Sequence, residues 1–229
     1  MDFEALTTYL AELEANNNKV WFEANRARYD ALRADFTDLV DEVIFGIATF
    51  DRRISGVAAK DCMFRIYRDV RFSKDKSPYK TQFSAAITEA GKNTQTPAYY
   101  FQVNHDGQLF IGGGIYMPET ERLNRVRAYI ATFPRRLQEV LDDPSFKATF
   151  NTLDGPRLTR PPKGYDENTP MLEMVKLKSY TVGRDADART LDDETAAPLI
   201  VDTFRAMYPF ITWLRDALGY THEPAQGAH

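Results

Sequence analysis

The spacing of apolar residues in the first fifty positions predicts two helices. After Asp2, a suitable helix N-cap, apolar residues recur every three or four positions at Phe3, Leu6, Leu10 and Leu13. The three asparagines at 16–18 should end this helix, because asparagine tolerates left-handed backbone and competes for local hydrogen bonds. A second helix is predicted by a longer stripe, preceded by Trp21 and Phe22, that consists of Tyr29, Leu32, Phe36, Leu39, Val43 and Ile47.

The apolar period changes to two between residues 63 and 116, which is typical of strands with one buried face. This pattern predicts strands at about 63–72, 82–88, 97–104 and 108–116. The last two flank a turn that contains Asp106-Gly107, so we expect them to form an antiparallel hairpin. The three glycines at 112–114 indicate a bulge or the close approach of another backbone or a ligand.

Helical spacing returns in the second half of the chain. It predicts helices on both sides of Pro134, a loop-rich stretch at about 151–169, a short helix at 171–177, a short strand at 179–182 and a long helix at about 193–218. Together the elements predict an α+β fold. We expect an antiparallel sheet of about four to six strands packed with several helices, and helical segments at both the N- and C-termini. Length and pattern favour a single domain over 1–220, followed by a disordered tail at 221–229.

Composition and charge exclude several classes of protein. The 43% apolar and 27% charged fractions are those of an ordinary globular protein. No apolar run reaches the roughly 18 residues that a membrane span needs, and the N-terminus lacks the features of a secretory signal. The single cysteine, Cys62, cannot form an internal disulfide. We therefore expect a cytoplasmic protein with no membrane partner.

The densest cluster of charge in the chain runs from Arg65 to Lys80 and contains six basic and two acidic side chains. If its first half is a strand, Arg68 falls among the apolar positions and requires a partner or a cavity. The opposite face then carries Arg65, Tyr67, Asp69 and Arg71. Guanidinium groups suit bidentate contact with phosphate or carboxylate, so the segment predicts an anion site.

We therefore expect the protein to bind an anionic small molecule through a phosphate or carboxylate group. The candidate ligand-binding residues are Arg65, Tyr67, Arg68, Arg71, Ser73, Lys74, Lys76 and Lys80, together with Lys163 from a later loop. Asp69 and Tyr79 are the candidate catalytic residues, the first to orient an arginine or act as a base and the second to donate a hydrogen bond. An enzyme acting on a phosphorylated small molecule is one interpretation. The sequence predicts no metal site and identifies no cofactor.

The same residues have plainer interpretations. Arg65, Asp69 and Arg71 can be solvated charges on an exposed strand. Arg68 can form a buried structural salt bridge, and the lysines can protect a sheet edge from pairing with other chains. Histidine catalysis is not expected, because His105 falls in the predicted hairpin turn and the other histidines fall in the tail.

A second function is compatible with the same pattern. The chain could be a non-enzymatic module that binds a protein or a nucleic acid through the basic loop. The net charge of -4 makes nucleic acid the less favoured partner, because nucleic-acid-binding domains usually carry a positive field. A homodimer is also open, since the apolar stripe of the last helix is narrow enough to pack against a copy of itself.

Several motifs together resemble the DUF2461 family of domains. The most specific is the basic segment from Arg65 to Lys80. The others are Asn17-Asn18 followed by Trp21-Phe22, Arg26 and Tyr29; Ala98-Tyr99-Tyr100-Phe101; Gly112-Gly113-Gly114 with Tyr116; and Pro162-Lys163-Gly164-Tyr165. The resemblance implies a compact α+β domain of a bacterial or fungal type. It supports the choice of the basic segment without implying a reaction.

Overall fold

The computed structural model describes residues 1–92, 95–153 and 155–220. Over these residues the helices are α1 (Phe3–Ala15), α2 (Lys19–Ala24), α3 (Arg26–Ala48), α4 (Ala59–Cys62), α5 (Thr120–Thr132), α6 (Pro134–Asp142), α7 (Pro144–Phe150), α8 (Leu172–Val175) and α9 (Ala196–Leu218). The strands are β1 (Gln82–Ile87), β2 (Ala98–Asn104), β3 (Gln108–Ile115) and β4 (Tyr180–Asp187). None of these helices is long and apolar enough to cross a membrane. The predicted tail at 221–229 lies outside the described residues.

The strands form one four-stranded antiparallel sheet in the order β1-β2-β3-β4, which confirms the predicted α+β class. Strands β1 and β2 pair from Gln82 opposite Asn104 to Ile87 opposite Tyr99. The turn between β2 and β3 is closed by the Gly107 amide, which donates to the Asn104 carbonyl at 3.2 Å. Gly107 has a φ of 85°, the left-handed conformation for which the Asp-Gly pair was the signal.

The chain divides into two compact units. The first consists of Met1–Thr94, Ala98–Gly112 and Gly183–Arg205, and the second of Gln95–Pro97, Gly113–Val182 and Ala206–His229, with structure described for the residues given above. The expectation of a single domain over 1–220 stays a prediction. Each unit has its own buried side chains.

The core of the first unit is built from aromatic rings. On the inner face of the sheet, the Phe36 ring of α3 packs edge-on against Phe83 of β1 at 5.5 Å between centroids. It also contacts Phe101 of β2 at 5.4 Å. Phe204 of α9 lies against Tyr99 and Phe101. All of these rings are buried, and along β2 burial alternates as expected for a strand with one buried face.

The predicted strand at 63–72 is wrong. Residues 63–80 instead form an irregular hairpin, here called the basic hairpin, held by isolated bridges that pair Met63 with Ala85 and Tyr67 with Tyr79. Its backbone bonds include Arg68 N–H to the Pro78 carbonyl at 2.9 Å and Lys80 N–H to the Ile66 carbonyl at 2.7 Å. A regular ladder does not form because nearby carboxylates accept from the amides of the tip, and Pro78 has no amide hydrogen to donate.

The face assignment for this segment was therefore only partly right. Arg65, Tyr67 and Arg71 are exposed, as the alternation predicts. Phe72, however, was assigned to the apolar face and is 96% exposed. The reason is that the chain has left the sheet by this point and turns back on itself. A spacing of two between apolar residues therefore no longer indicates a buried face.

The second unit contains a close contact between two backbones. An added Cβ at Gly114 would lie 2.1 Å from the carbonyl oxygen of Tyr180, and Gly114 has a φ of 115°. Both facts require glycine there. The prediction that the glycine run allows another backbone to approach is confirmed at this residue. Nearby, buried Arg127 donates to the carbonyls of Val175 and Leu177 at 2.9 and 3.1 Å.

We predict that Gly114→Ala will lower the free energy of unfolding by about 3 kcal/mol, because the methyl group overlaps a backbone oxygen in a conformation that side chains disfavour. Urea denaturation measures the change. Gly164→Ala is the matched control, because Gly164 has a φ of 94° but no atom within 4 Å of an added Cβ. It should lose only about 1 kcal/mol. Equal losses in the two variants would contradict the close-contact explanation.

Candidate functional site

Arg68 closes the basic hairpin through an ion pair with Asp75. One amino group of Arg68 also donates to the Ser77 carbonyl at 3.2 Å. Asp75 accepts from the Ser77 amide at 2.9 Å and from its hydroxyl at 2.6 Å. These two bonds from Ser77, followed by the one from Arg68, hold the pKa of Asp75 well below its usual range. The Arg68 guanidinium is therefore already neutralised by a carboxylate that stays ionised.

Arg71 is neutralised in the same way by Asp69. Its Nε donates to Asp69 Oδ1 at 2.9 Å and its Nη2 to Oδ2 at 2.6 Å, a bidentate pair. The Arg71 hydrogen bonds lower the pKa of Asp69 and the bond to Asp69 raises the pKa of Arg71. A carboxylate with a lowered pKa binds a proton weakly, which makes Asp69 a poorer general base. This geometry fits the alternative role, in which Asp69 orients an arginine.

The base of the hairpin is fixed to the turn between α1 and α2. Asn17 Nδ2 donates to the Tyr79 carbonyl at 3.0 Å, and the Tyr79 amide donates back to Asn17 Oδ1 at 3.0 Å. The next residue, Asn18, caps α2 by accepting from the Trp21 amide. That helix places the Phe22 ring in a stack on Tyr79, with centroids 4.1 Å apart. Asn17, Asn18 and Phe22 therefore position the returning end of the basic hairpin at Tyr79.

An aromatic cluster continues beneath the hairpin. Tyr67 lies 5.4 Å from Tyr79 and 6.1 Å from Phe22, measured between ring centroids. Arg26 covers the Phe22 ring at 5.5 Å and the Tyr29 ring at 5.9 Å. Two motifs that are far apart in the sequence, at residues 17–29 and 65–80, thus meet in one place. Their shared role is to hold the hairpin in a single conformation.

A cleft of about 550 Å³ opens beside the hairpin. This volume lies within the usual range for sites that hold small molecules. Four of the sequence-predicted site residues line it, namely Arg68, Asp69, Tyr79 and Lys80. The remaining lining residues are Glu14, Asn17, Asp75, Ser77, Thr81 and Gln82.

Lys80 is the cation in this cleft whose charge is least compensated. Burial and the neighbouring Arg65 both lower the pKa of Lys80, in that order of importance. Its ammonium lies 5.1 Å from the centre of the Phe64 ring, a weak cation-π contact. Within 1–92, 95–153 and 155–220, neither Lys80 nor Arg65 forms an ion pair with a carboxylate.

The other predicted ligand-binding residues do not line this cleft. Around the exposed tip of the hairpin are Arg71, Ser73, Lys74 and Lys76, the last of which donates to the Val70 carbonyl at 3.0 Å. Tyr67 belongs to the aromatic cluster, and Arg65 is exposed near Lys80. Lys163 is an exposed loop residue of the second unit.

Three cleft or rim residues were missed by the reasoning from sequence. Asn17 was interpreted as a helix breaker and as part of a family motif but not as a site residue, and Glu14 gave no signal because it lies on the polar side of a helical pattern. His105 was expected to be a turn residue without a chemical role. It does lie in the turn, where its amide donates to the Thr81 carbonyl at 3.1 Å, but its Nε2 also lies 2.8 Å from Glu14 Oε2. His222 and His229 lie outside the described residues.

Among the side chains that the structure describes, no group of three or more histidine, cysteine, aspartate or glutamate residues could hold a metal ion. Glu14, Asp69 and Asp75 share the cleft, but two of them are already bound to arginines.

Comparison with known proteins gives a single kind of match. A family model described as "Conserved hypothetical protein (DUF2461)" matches residues 5–213. Neither the curated proteins nor the solved structures contain a match to the chain. The matched range includes every residue that lines the cleft.

We predict that Asn17→Ala will lower the free energy of unfolding by about 2 kcal/mol, because two hydrogen bonds to the Tyr79 backbone are lost. Amide hydrogen exchange should show a larger loss of protection at Arg68, Tyr79 and Lys80 than in the β1–β2 ladder. Asn16→Ala is the control, since Asn16 bonds only locally, to the Glu12 carbonyl. Unchanged protection in the hairpin would show that Asn17 does not hold it.

Proposed function

Because the chain belongs to the DUF2461 family, whose description names no reaction, we propose its function from the cleft: it binds a small molecule through a phosphate or carboxylate at Lys80, with Arg65 as a neighbouring cation outside the cleft lining. The supporting observation is that Lys80 lies in the cleft wall, partly buried beside a second cation, with no carboxylate partner among the described residues. An anion bound between Lys80 and Arg65 would offset the repulsion between their positive charges. It would also stabilise the charged form of Lys80.

This proposal changes the roles expected for the arginines. Arg68 would have to break its ion pair with Asp75, and Arg71 its ion pair with Asp69, before either could bind an anion. We therefore assign them to the shape of the hairpin. Lys80, which is not engaged in this way, and Arg65, which is near it, are the better ligand-binding groups. A lysine is a compact point charge and suits a phosphate that approaches from one side.

An enzymatic step remains part of the proposal for a phosphorylated ligand. Burial, followed by the neighbouring Tyr67, raises the pKa of Tyr79, which favours the protonated phenol, a hydrogen-bond donor. Asp69 would act through Arg71 as a positioning residue. The reaction class is left to assay, and the binding proposal does not depend on it.

We predict that Lys80→Met will weaken binding of the protein's preferred anion at least tenfold, since the substitution removes a charged hydrogen bond but keeps the buried chain. Calorimetry with inorganic phosphate, sulfate, sugar phosphates and short carboxylates provides the measurement. Lys74→Met, which removes an exposed charge outside the cleft, should have less than a twofold effect. If both variants lose affinity equally, the general positive field is responsible and the site assignment is wrong.

The pH dependence of binding provides a second prediction. An anion binds the protonated form of Lys80, so affinity should fall as pH rises through the pKa of this group. Because burial lowers the pKa of Lys80, the fall should begin at lower pH than for an ordinary lysine. Sulfate, whose charge is constant over this range, is the suitable ligand. In Lys80→Arg, which keeps its charge, the alkaline decline should disappear.

A second candidate function is favoured by Phe72, which is 96% exposed at the tip of the hairpin between basic residues. An exposed ring among cations can stack on the bases of a single-stranded nucleic acid while the cations contact its backbone. Phe72→Ala should then weaken binding of a mixed-sequence oligonucleotide at least fivefold, measured by fluorescence anisotropy at two salt concentrations. Phe45→Ala, which removes another exposed ring, 77% accessible, on α3, is the control. Absence of oligonucleotide binding in the wild-type protein eliminates this candidate.

A further inference from the structure

The charges of the cleft fall into two groups, those that are compensated and those that are not. Asp75 accepts hydrogen bonds from Ser77 and pairs with Arg68, and Asp69 has a bidentate partner in Arg71. These four charges balance in pairs. The charged residues that remain in the cleft wall are Lys80 and Glu14.

Glu14 differs from the other two carboxylates in its partner. Its only ion-pair partner among the described residues is His105, whose Nε2 lies 2.8 Å from one of the two Glu14 oxygens, Oε2. The Glu14 side chain is 52% exposed, so a ligand can reach its carboxylate.

The position of Glu14 is also fixed from both sides. It lies in the last turn of α1, one residue before the helix ends at Ala15. The partner imidazole is held because the His105 amide donates to the Thr81 carbonyl, and Thr81 itself lines the cleft. The carboxylate is therefore oriented by the same turn that joins β2 to β3.

Lys80, a cation without a carboxylate partner among the described residues, and Glu14, a half-exposed carboxylate whose partner is an imidazole and not a guanidinium, are together complementary to a molecule that carries both signs of charge. We infer that the ligand is a small zwitterion, with an acidic group that contacts Lys80 and an amine that contacts Glu14. The inference rests on the proposed anion site and names the chemical class of its ligand. The amine would bind the Glu14 oxygen that His105 does not occupy.

A zwitterion also fits better than a simple anion on electrostatic grounds. With the Arg68–Asp75 and Arg71–Asp69 pairs set aside, one cation, Lys80, and one carboxylate, Glu14, are left among the residues that line the cleft. A ligand with only negative charge would be attracted at Lys80 and repelled at Glu14. An amine converts that repulsion into attraction, which gives the site a way to select among small anions.

The test uses pairs of ligands that differ only in the amine. Calorimetry compares O-phosphoethanolamine with ethyl phosphate, and glucosamine 6-phosphate with glucose 6-phosphate, on the full-length protein. In at least one pair the amine-bearing member should bind about fivefold more tightly, the upper range for a partly exposed ion pair. Each measurement is repeated on Glu14→Gln, which keeps the shape and removes the charge.

The variants separate the inference from the proposed function. Glu14→Gln should abolish the preference for the amine without weakening the binding of ethyl phosphate. Glu12→Gln is the matched control, because Glu12 lies on the same helix but pairs with Arg28 and does not line the cleft. It should retain the preference.

Three results would contradict either the zwitterion inference or the proposed anion site. If both members of every pair bind wild-type protein equally, the zwitterion inference fails and the anion site stands. If the preference persists in Glu14→Gln, Glu14 is not the recognition group and the inference fails as stated. If none of the four ligands binds and inorganic phosphate, sulfate and short carboxylates also fail to bind, the proposed function itself is wrong.

Discussion

The pair of hydrogen bonds between the Asn17 side chain and the Tyr79 backbone is the constraint on which the candidate site depends. It joins residues that are 62 positions apart and fixes the end of the basic hairpin against the turn between α1 and α2. An amide side chain that donates to the carbonyl and accepts from the N–H of the same residue mimics a strand neighbour. A segment too irregular to form a ladder is thereby given a defined position. Lys80, the next residue, takes its place in the cleft as a consequence.

The hairpin also shows how a strongly basic segment can exist in a chain of net charge -4 without being one continuous cationic surface. Local aspartates neutralise Arg68 and Arg71 within the segment itself. These pairs are largely exposed and contribute little to stability individually. Their effect is to decide which cations can bind a ligand. The count of arginines in the sequence therefore overstates the strength of the anion site, and Lys80 with its neighbour Arg65 carries the proposal.

Much of the fold could be predicted from period and turn chemistry alone. The helices at both ends, β1, the β2–β3 hairpin and the close approach at Gly114 all follow from local patterns of residues. The error at 63–72 has a definite cause. Alternation predicts a strand only where a partner strand supplies continuous hydrogen bonds, and here the segment pairs with its own returning end. Exposed Phe72 shows where that assumption fails.

The sequence by itself determined the α+β class, the positions of most elements and the segment that carries the unusual density of charge, because these depend on spacing and composition within short windows. Tertiary structure decided which of those charges line the cleft, which are already paired, and which distant residues join them. Glu14, Asn17 and His105 reach the basic hairpin from three separate places in the chain. No local pattern encodes such a meeting, since it depends on how the turns at 16–18 and 104–107 are placed by the packing of α1 and the sheet.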